Sequence, residues 1–399
     1  MIWNRLVLED ACSLVSRGIS PKYLEAGGVR VLNQKCIRNH TINFSLARRH
    51  DISKKGVKQE RFIQKGDVLI NSTGHGTLGR VAQVRDEPDE PTTVDSHVTI
   101  VRPMDKFFYL DYFGFAAIFI EDEIKAAGQG TSGQTELSKK KLKEEFYVSF
   151  PADFAEQERI VAKLDAAFAE IDGAIEVANA KVKEVNCLFK KELENTFSNG
   201  EFESVNLEEL AKVTSSKRVL KSHYVESGIP FYRTKEIKEL ANGNPIRTEL
   251  FISQEQFSEF KNKFGAPQAG DVLITAIGTI GEVYVVQQGD EFYFKDGNIL
   301  WLRNITGLNS DYLRYSLINF VDELNSLAHG AAYSALPIQR LKSHKIPIKA
   351  LSEQTSSVVK LDALGKLTQD IDKLNSNKIS ALGVLKSAIL AQELQSEAA

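Results

Sequence analysis

Polar side chains that can hydrogen bond to a nucleic acid are concentrated in three loops of the first half of the sequence. Amide side chains can make two hydrogen bonds to adenine, hydroxyl and imidazole groups can reach a base edge, and lysines can contact phosphates. The loops are "NQK", the glycine-rich "NSTGHGTLG" and "QGTSGQTELSKKK". The candidate contact residues are Asn33, Gln34, Lys35, His75, Thr77, Gln129, Thr131, Ser132, Gln134, Lys139, Lys140 and Lys141.

The second half carries polar residues at matching positions, but the side-chain types differ. Arg233 can pair with two acceptors of guanine, whereas Asn33 at the matched position suits adenine. Each such pair contributes about 1–3 kcal/mol of discrimination, so the two halves are predicted to read different base sequences. The candidates here are Arg233, Thr234, Lys235, Thr279, His329, Tyr333, Ser334, Gln339, Arg340 and Lys342.

These loops also have a purely structural interpretation, which the sequence leaves open. Gly74, Gly76 and Gly79 allow a close approach to a phosphate, but they are equally typical of a plain glycine-rich hairpin. A lysine run at the start of a helix is usually a solvated surface. His97 follows a turn and enters an apolar strand, so we predict a structural histidine there.

Patterns typical of catalytic or metal sites are weak. Asp89 with Glu123 and Lys125 fits the loose pattern of a Mg²⁺ nuclease, but such acid–lysine triplets should arise roughly four times by chance. The Asn/Asp-Pro-Pro-aromatic tetrapeptide of amino-methyltransferases is absent, as are H-x-x-x-H and a strand–glycine loop–helix unit for a nucleotide. The sequence therefore predicts no catalysis, no cofactor and no metal.

Length and composition favour a cytoplasmic protein of at least two domains. The 399 residues exceed one ordinary core, and neither an apolar run near eighteen residues nor a signal-peptide pattern is present. The three cysteines lie far apart, which argues against a disulfide framework. Net charge is −3, yet residues 1–80 hold 14 Lys and Arg against 6 Asp and Glu. A basic face on an acidic protein is therefore possible.

The sequence repeats itself in order, which indicates a tandem duplication. "QKGDVLINSTGHGTLGRV" returns as "QAGDVLITAIGTIGEV", and "GVRVLNQKCI" returns as "GIPFYRTKEI". Short alternating apolar runs bounded by Gly, Asp and Asn predict a β-rich α+β domain in each copy. The expected division is a domain over residues 1–150, a long helix over 151–198, a second domain over 199–350 and a C-terminal helix over 351–399.

Both helical segments have an apolar seam at spacings of three and four residues. A helix of about forty residues is roughly 60 Å long and cannot bury its seam against one small domain. We therefore predict that the two helices pair as an antiparallel coiled coil; the alternative is that each folds back on its own domain. The seam residues are Ile160, Leu164, Phe168, Ile171, Ile175, Val182, Val185, Phe189, Leu361, Leu364, Leu367, Ile371, Leu374, Leu382, Leu385 and Ile389.

The repeat, the "KGDVLI" and "AGDVLI" strands, the "GTSGQTELS" and "GAAYSALP" loops and the "EQ" openings of the helices resemble the specificity subunit of type I restriction-modification systems. The resemblance covers nearly the whole chain. It implies an α+β fold in which two similar target-recognition domains, related by a pseudo-twofold, are separated by a coil of two long helices.

The resemblance also implies a function. Each domain would read one half of a split double-stranded DNA target, while the helices act as a spacer and dock methyltransferase subunits, two per chain. Restriction subunits would join through the methyltransferase, and the chain itself would be non-catalytic, with no membrane partner. The acidic composition keeps one alternative open, a coiled-coil assembly protein whose two β-rich heads bind proteins or glycans.

Overall fold

The computed structural model describes residues 2–128, 136–198, 202–327, 335–336 and 338–395. Contacts divide the chain into two compact units, residues 1–178 with 376–399 and residues 179–375. We call them unit 1 and unit 2 and describe each by itself. Because the division falls inside both long helices, each unit contains one domain and a part of each helix.

Unit 1 is built from short strands and four short helices, with one-turn 3-10 segments between them. Its strands are β1 (Trp3–Val7), β2 (Cys12–Arg17), β3 (Tyr23–Leu24), β4 (Val29–Leu32), β5 (Ile37–Arg38), β6 (Thr41–Ile42), β7 (Arg48–His50), β8 (Val68–Asn71), β9 (Val81–Gln83), β10 (Thr92–Val94), β11 (Val98–Pro103) and β12 (Tyr147–Pro151). Its helices are α1 (Leu8–Ala11), α2 (Leu110–Phe119), α3 (Glu121–Ala126) and α4 (Lys139–Glu144), followed by the first long helix α5 (Phe154–Ser198).

The "GDVLIN" phrase of the first copy forms β8, a central strand. It pairs antiparallel with β11 on one side and β9 on the other, and all four of its residues are buried. A continuous apolar run, rather than an alternating one, is what a strand covered on both faces requires. Helix α2 covers one face with buried side chains from Tyr112 to Ala117.

Unit 2 is built from the same kinds of elements, together with the second long helix. Its strands are β13 (Ser204–Asn206), β14 (Lys212–Thr214), β15 (Tyr224–Val225), β16 (Ile229–Tyr232), β17 (Phe251–Ile252), β18 (Val272–Thr275), β19 (Val283–Val285), β20 (Tyr293–Phe294), β21 (Ile299–Arg303) and β22 (Lys345–Pro347). Its helices are α6 (Leu207–Leu210), α7 (Thr234–Ala241), α8 (Gln254–Phe264), α9 (Ser310–Leu327), α10 (Ile338–Lys342) and the long α11 (Leu351–Leu394).

The two units share one sheet topology. The order β2-β11-β8-β9 in unit 1 matches β14-β21-β18-β19 in unit 2, and β1-β12 matches β13-β22. The order β10-β4-β7-β3 matches β20-β16-β17-β15, with the first pair parallel in both units. The predicted repeat of two similar β-rich α+β domains is therefore confirmed.

The units differ directly after β4 and β16. In unit 1 a 3-10 turn over Gln34–Cys36 leads into the two-stranded β5–β6 hairpin. In unit 2 the matching segment is α7, where Glu236 accepts hydrogen bonds from the backbone N–H and the guanidinium of Arg233. A shared scaffold therefore carries different local structure after these matched strands.

Within each unit the parts of α5 and α11 run antiparallel. In unit 1 Lys163 lies 2.6 Å from Glu393 and Lys386 lies 2.9 Å from Asp172, so ascending positions on α5 meet descending positions on α11. In unit 2 Lys360 lies 2.6 Å from Glu192. The start of α5 also packs on its own domain through Ile160 and Leu164. Both of the packing modes that the sequence left open are thus present.

The burial of the predicted seam positions differs between α5 and α11. Every predicted position of α5 is buried or half-buried. The exposed positions on α11 are Leu367, Leu374 and Leu385, which are 50%, 70% and 47% exposed. The neighbouring Thr368, Asn375 and Lys386 are half-buried instead. These half-buried positions are thus polar ones, and Lys386 pairs there with Asp172 of α5.

A buried glutamine fixes the start of each long helix. Gln157 accepts from the backbone N–H of Tyr109 at 2.8 Å and donates to the carbonyls of Phe107 (2.9 Å) and Pro151 (2.8 Å). Gln354 accepts from the N–H of Asn309 at 2.8 Å and donates to the carbonyls of Gly307 (3.2 Å) and Lys349 (2.9 Å). The "EQ" openings therefore tie each helix to the loop before α2 or α9.

Three further features bear on possible function classes. The cysteines are free, with Cys12 and Cys36 buried and Cys187 exposed. Among the residues described, no group of three or more His, Cys, Asp and Glu side chains is placed to hold a metal ion. Within the same ranges, no helix has the length and apolar character needed to cross a membrane.

Candidate nucleic-acid interface

In unit 1 three chain segments meet at the end of β8. The hairpin closes where Asn71 N–H donates to the carbonyl of Arg80 (2.9 Å) and Gly79 N–H donates to the carbonyl of Asn71 (2.8 Å). Beyond the strand, Ser72 N–H donates to the backbone carbonyl of His97 at 2.8 Å, and Leu137 N–H donates to the backbone carbonyl of Ser72 at 2.9 Å. The hairpin tip, the turn before β11 and the segment before α4 thus form one edge.

The "NQK" turn joins the same edge through side chains. Asn71 Nδ2 donates to the Gln34 carbonyl at 3.1 Å, and Thr77 Oγ1 lies 3.1 Å from Gln34 Oε1. Gly74 lies between Thr77 and Gln34 with φ +105°, and a Cβ there would collide with both side chains. Because L-residues with a side chain avoid this φ, glycine is required for the tip to close against the turn.

Unit 2 repeats this backbone arrangement with a shorter tip. Thr275 N–H donates to the carbonyl of Glu282 (3.0 Å) and Gly281 N–H donates to the carbonyl of Thr275 (2.9 Å). Ala276 N–H donates to the backbone carbonyl of Asn298, and Leu336 N–H donates to the backbone carbonyl of Ala276, both at 2.8 Å. The unit 2 edge is therefore assembled from the same segments as the unit 1 edge.

Several of the predicted contact residues are committed to local structure. Asn33 Oδ1 accepts from Lys35 N–H at 2.9 Å, and Gln34 is occupied as described above. The Arg233 guanidinium pairs with Glu236 at 2.7 Å. This ion pair outweighs burial and lowers the pKa of Glu236, which stays charged and holds the arginine. Thr234 Oγ1 faces the Ile277 carbonyl at 3.4 Å.

Other predicted residues point away from the protein and are available to a ligand. They include the two lysines of the "NQK" and "RTK" turns and the tips of the hairpins. Lys141 is half-buried and donates to the Ala127 carbonyl at 3.3 Å, and Lys342 is half-buried too. The exposed residues are Lys35, His75, Lys139, Lys140, Lys235, Thr279, Gln339 and Arg340.

The most polar part of the third loop lies outside the described residues in both units. The segment directly after it is described. Thr73 forms a β-bridge with Glu136 in unit 1, and Ile277 forms one with Ala335 in unit 2. These bridges attach the loop's end to the hairpin. The predicted residues outside the described ranges are Gln129, Thr131, Ser132, Gln134, His329, Tyr333 and Ser334.

Sequence reasoning missed three cationic or titratable residues at the unit 1 edge. His97, interpreted as structural, is exposed and lies 2.6 Å from Thr73 Oγ1 through Nδ1. Arg80 and His40 line a cavity of about 660 Å³ together with His75. For Arg80 the sequence did contain a signal, because "LGRV" in the first copy is matched by "IGEV" in the second, inside an otherwise repeated phrase.

A buried carboxylate lies in the wall of this cavity. His40 Nε2 lies 3.0 Å and Lys125 Nζ 2.6 Å from Glu121. Burial alone would raise the pKa of Glu121, but the hydrogen bonds from His40 and Lys125 outweigh burial and leave the pKa below its usual value. Glu121 is therefore charged at neutral pH and compensated by its own neighbours.

The family model for the type I restriction modification DNA specificity domain matches residues 8–181 and 199–381. The chain belongs to this family. The two matches correspond to the two copies of the repeat, and each copy contributes one of the edges described above. The DNA specificity domain is thus present twice.

Two relatives carry matching descriptions. A putative type I restriction enzyme specificity subunit of Haemophilus influenzae is 34% identical over 42% of this chain, a segment spanning 41% of that relative's length. A putative type I restriction enzyme MjaX specificity subunit of Methanocaldococcus jannaschii is 22% identical over 92% of this chain and 88% of its own.

Two solved structures share the fold. A chain from a structure of the type I R-M system, described for its complex assembly and conformational transition, aligns with TM-score 0.74 at 19% identity over 99% of this chain and 98% of its own. The HsdS subunit from Thermoanaerobacter tengcongensis aligns with TM-score 0.51 at 18% identity, over 99% of this chain and 97% of its own. At these identities the likeness concerns the fold.

Proposed function

We propose that this chain is the DNA-recognition subunit of a type I restriction-modification system and reads a split double-stranded target, one half-site with each edge. The observation that carries the proposal is the repeated backbone frame. Asn71 and Thr275 close the two hairpins with the same hydrogen bonds, while the side chains around them differ. A target with two unequal halves needs two readers of one design and different surface chemistry.

The proposal assigns a role to each part of the chain. Residues 1–150 and 199–350 are the two target-recognition domains, and residues 151–198 and 351–399 are the helical spacer. The spacer docks methyltransferase subunits, two per chain, and restriction subunits join through them in the cytoplasm. The chain itself is not an enzyme, and methyl transfer and cleavage belong to the partner subunits.

The polar edge residues have the role of contacting DNA in this proposal. Exposed lysines such as Lys35, Lys139 and Lys235 suit phosphates, because a point charge at the end of a flexible side chain positions the protein without reading a sequence. His75 and Thr279, at the two hairpin tips, suit base edges. The polar residues of the third loop are assigned the same role from the sequence.

Methylome sequencing of cells with and without this chain tests the proposal. The methyltransferase gene is kept in both strains, so that a difference reports target choice and not loss of the enzyme. We expect one split motif, with two defined halves and a non-specific spacer, to be methylated only when the chain is present. An identical methylation pattern in the two strains would contradict the proposal.

A further inference from the structure

Arg80 and Glu282 occupy the same position in the two repeated hairpins. Each carbonyl accepts from the last residue of the preceding strand, Asn71 at 2.9 Å and Thr275 at 3.0 Å. Each residue also follows the glycine that closes the tip, Gly79 or Gly281. The charge at this corner is therefore reversed between the two units, although the same backbone hydrogen bonds close both hairpins.

The guanidinium of Arg80 contacts backbone carbonyls among the described residues. It donates to the carbonyls of Gly76 (2.9 Å) and Ile37 (3.5 Å), and within the described ranges no carboxylate forms an ion pair with it. Two carbonyls occupy two N–H groups of a guanidinium that has five, leaving roughly three for a ligand. Carbonyl contacts fix the side chain in place and leave its full positive charge.

The cavity beside Arg80 fits an anion. Its volume is about 660 Å³, and its walls also carry His40, His75 and Asn39. Glu121, whose carboxylate lies in the wall, is already held by His40 and Lys125. An anion placed at Arg80 therefore meets a net positive wall, and the arginine is preorganised to receive it.

The corresponding corner of unit 2 lacks these properties. Glu282 lies 3.6 Å from Lys238 Nζ and accepts from Asn242 Nδ2 at 3.2 Å, so its charge is balanced locally. Behind the closing glycine, a Cβ on Gly79 would meet Lys125, whereas a Cβ on Gly281 would meet Val321. The lysine of unit 1 is thus replaced by an apolar residue.

We propose that the cavity at Arg80 binds one phosphate of the DNA backbone and that the matching corner of unit 2 binds none. This inference rests on the proposed function, and it goes further by assigning unequal electrostatic shares to the two half-sites. Arg80 holds the first unit to its half-site at a phosphate, while the second unit depends on its other contacts.

A matched pair of charge-neutral variants tests the inference in the complete complex with the methyltransferase subunits. We expect Arg80→Gln to flatten the slope of log affinity against log salt by about one unit, for specific and non-specific DNA alike, because one phosphate contact contributes about 0.9 to that slope. Glu282→Gln should leave the slope unchanged. Arg80→Lys should restore most of it, which separates charge from loss of the loop structure.

DNA with single neutral methylphosphonate linkages locates the contact. In one half-site, one linkage should weaken wild-type binding and have no further effect on Arg80→Gln, because both changes remove the same contact. An unchanged slope in Arg80→Gln, or equal slope losses in Arg80→Gln and Glu282→Gln, would overturn the inference. If the wild-type complex shows no sequence-specific binding at all, the proposed function fails instead, so the two failures are distinguishable.

Discussion

Gln157 and Gln354, the fourth residues of α5 and α11, make equivalent hydrogen bonds in the two units. Each accepts one backbone N–H and donates to two carbonyls, and each side chain is fully buried. A buried amide that satisfies three backbone groups fixes the direction in which a helix leaves its domain. The repeat has thus kept the connection between each domain and its long helix as well as the domain itself.

The first prediction concerns this connection. Gln157→Leu and Gln354→Leu should each lower the stability of their unit by at least about 2 kcal/mol, because three backbone groups lose their partner without access to water. Thermal unfolding followed by circular dichroism checks this. Gln369→Leu, at an exposed position of α11, is the control and should change little. Equal effects of all three variants would show that the buried bonds contribute nothing.

The sequence was sufficient to predict the repeat, its strands and the long helices, because these depend on local patterns. "GDVLI" between glycine turns has one reasonable reading as a buried strand. The exposed positions Leu367 and Leu374 were not predictable, because the stripe that becomes buried is chosen by residues on the partner helix. Tertiary partners here override the apolar periodicity of the sequence, because polar positions of α11 are half-buried in place of these leucines.

The candidate edges were located by sequence, but the state of their side chains was not. The "NQK" turn and the hairpin tip predicted to contact DNA do converge in unit 1, although the turn follows β4 of one sheet and the tip follows β8 of another. The Arg233–Glu236 pair is local, three residues apart at the start of α7, whereas the absence of a described carboxylate beside Arg80 depends on three-dimensional neighbours. Sequence spacing carries no information about such neighbours when the partner lies on another segment.

A second prediction follows from a half-buried histidine in unit 2. His344 and Phe146 occupy equivalent places in the two units. The backbone carbonyl of His344 accepts from the first residue of α6, and that of Phe146 accepts from the first residue of α1, both at 2.9 Å. Burial lowers the pKa of His344 to about 4, against a weaker opposing effect of Ser316. The ring packs on Phe320 with centroids 4.5 Å apart. The neutral form is therefore the one that fits the fold.

The sign of the pH dependence follows from this depression. The unfolded histidine binds a proton near pH 6.5 and the folded one only near pH 4, so stability is complete above about 6.5 and falls towards 4. At pH 5 the loss should be of the order of 2 kcal/mol. His344→Phe should remove this loss of folding stability at low pH, and Phe146→His should introduce a similar loss in unit 1. Unfolding midpoints at pH 7.5 and 5.0 check both.

The third prediction concerns the lysines at the start of α4. Replacing the exposed Lys139 and Lys140 with alanine should weaken binding to all DNA sequences and flatten the salt slope by about one unit for each true phosphate contact. Lys141 bonds to Ala127, so Lys141→Ala should contribute less. Lys366→Ala, on the exposed face of α11, serves as the control in the same DNA titrations. An unchanged slope would assign the run to the solvated surface.

The fourth prediction concerns the independence of the two readers. Exchanging residues 28–145 for the same region of a relative should change one half of the methylated motif and leave the other half intact. The exchanged region contains the "NQK" turn, the hairpin tip and the third loop, while Gln157 remains in place to hold the helix. Methylome sequencing checks this. Loss of both halves together would argue against independent reading.

The last prediction treats the paired helices as a ruler, with the helices running along the duplex axis. Four residues inserted after Ala174 and four after Gly383, next to the Asp172–Lys386 pair, lengthen both helices by about 6 Å, or roughly two base pairs. The helix then turns about 40° beyond one full turn while the DNA turns about 70°, so the two rotations partly match.

A seven-residue insertion should perform worse, although whole heptads suit a coiled coil. It adds about 10 Å, or three base pairs, and returns the helix to within about 20° of its phase while the DNA turns about 100°. We expect the four-residue variant to methylate targets with a longer spacer and unchanged half-sites, and the seven-residue variant to be weak on every spacer. A methylation assay across a series of spacer lengths decides between them. If the four-residue variant still prefers the original spacer, the helices do not set the distance between the half-sites.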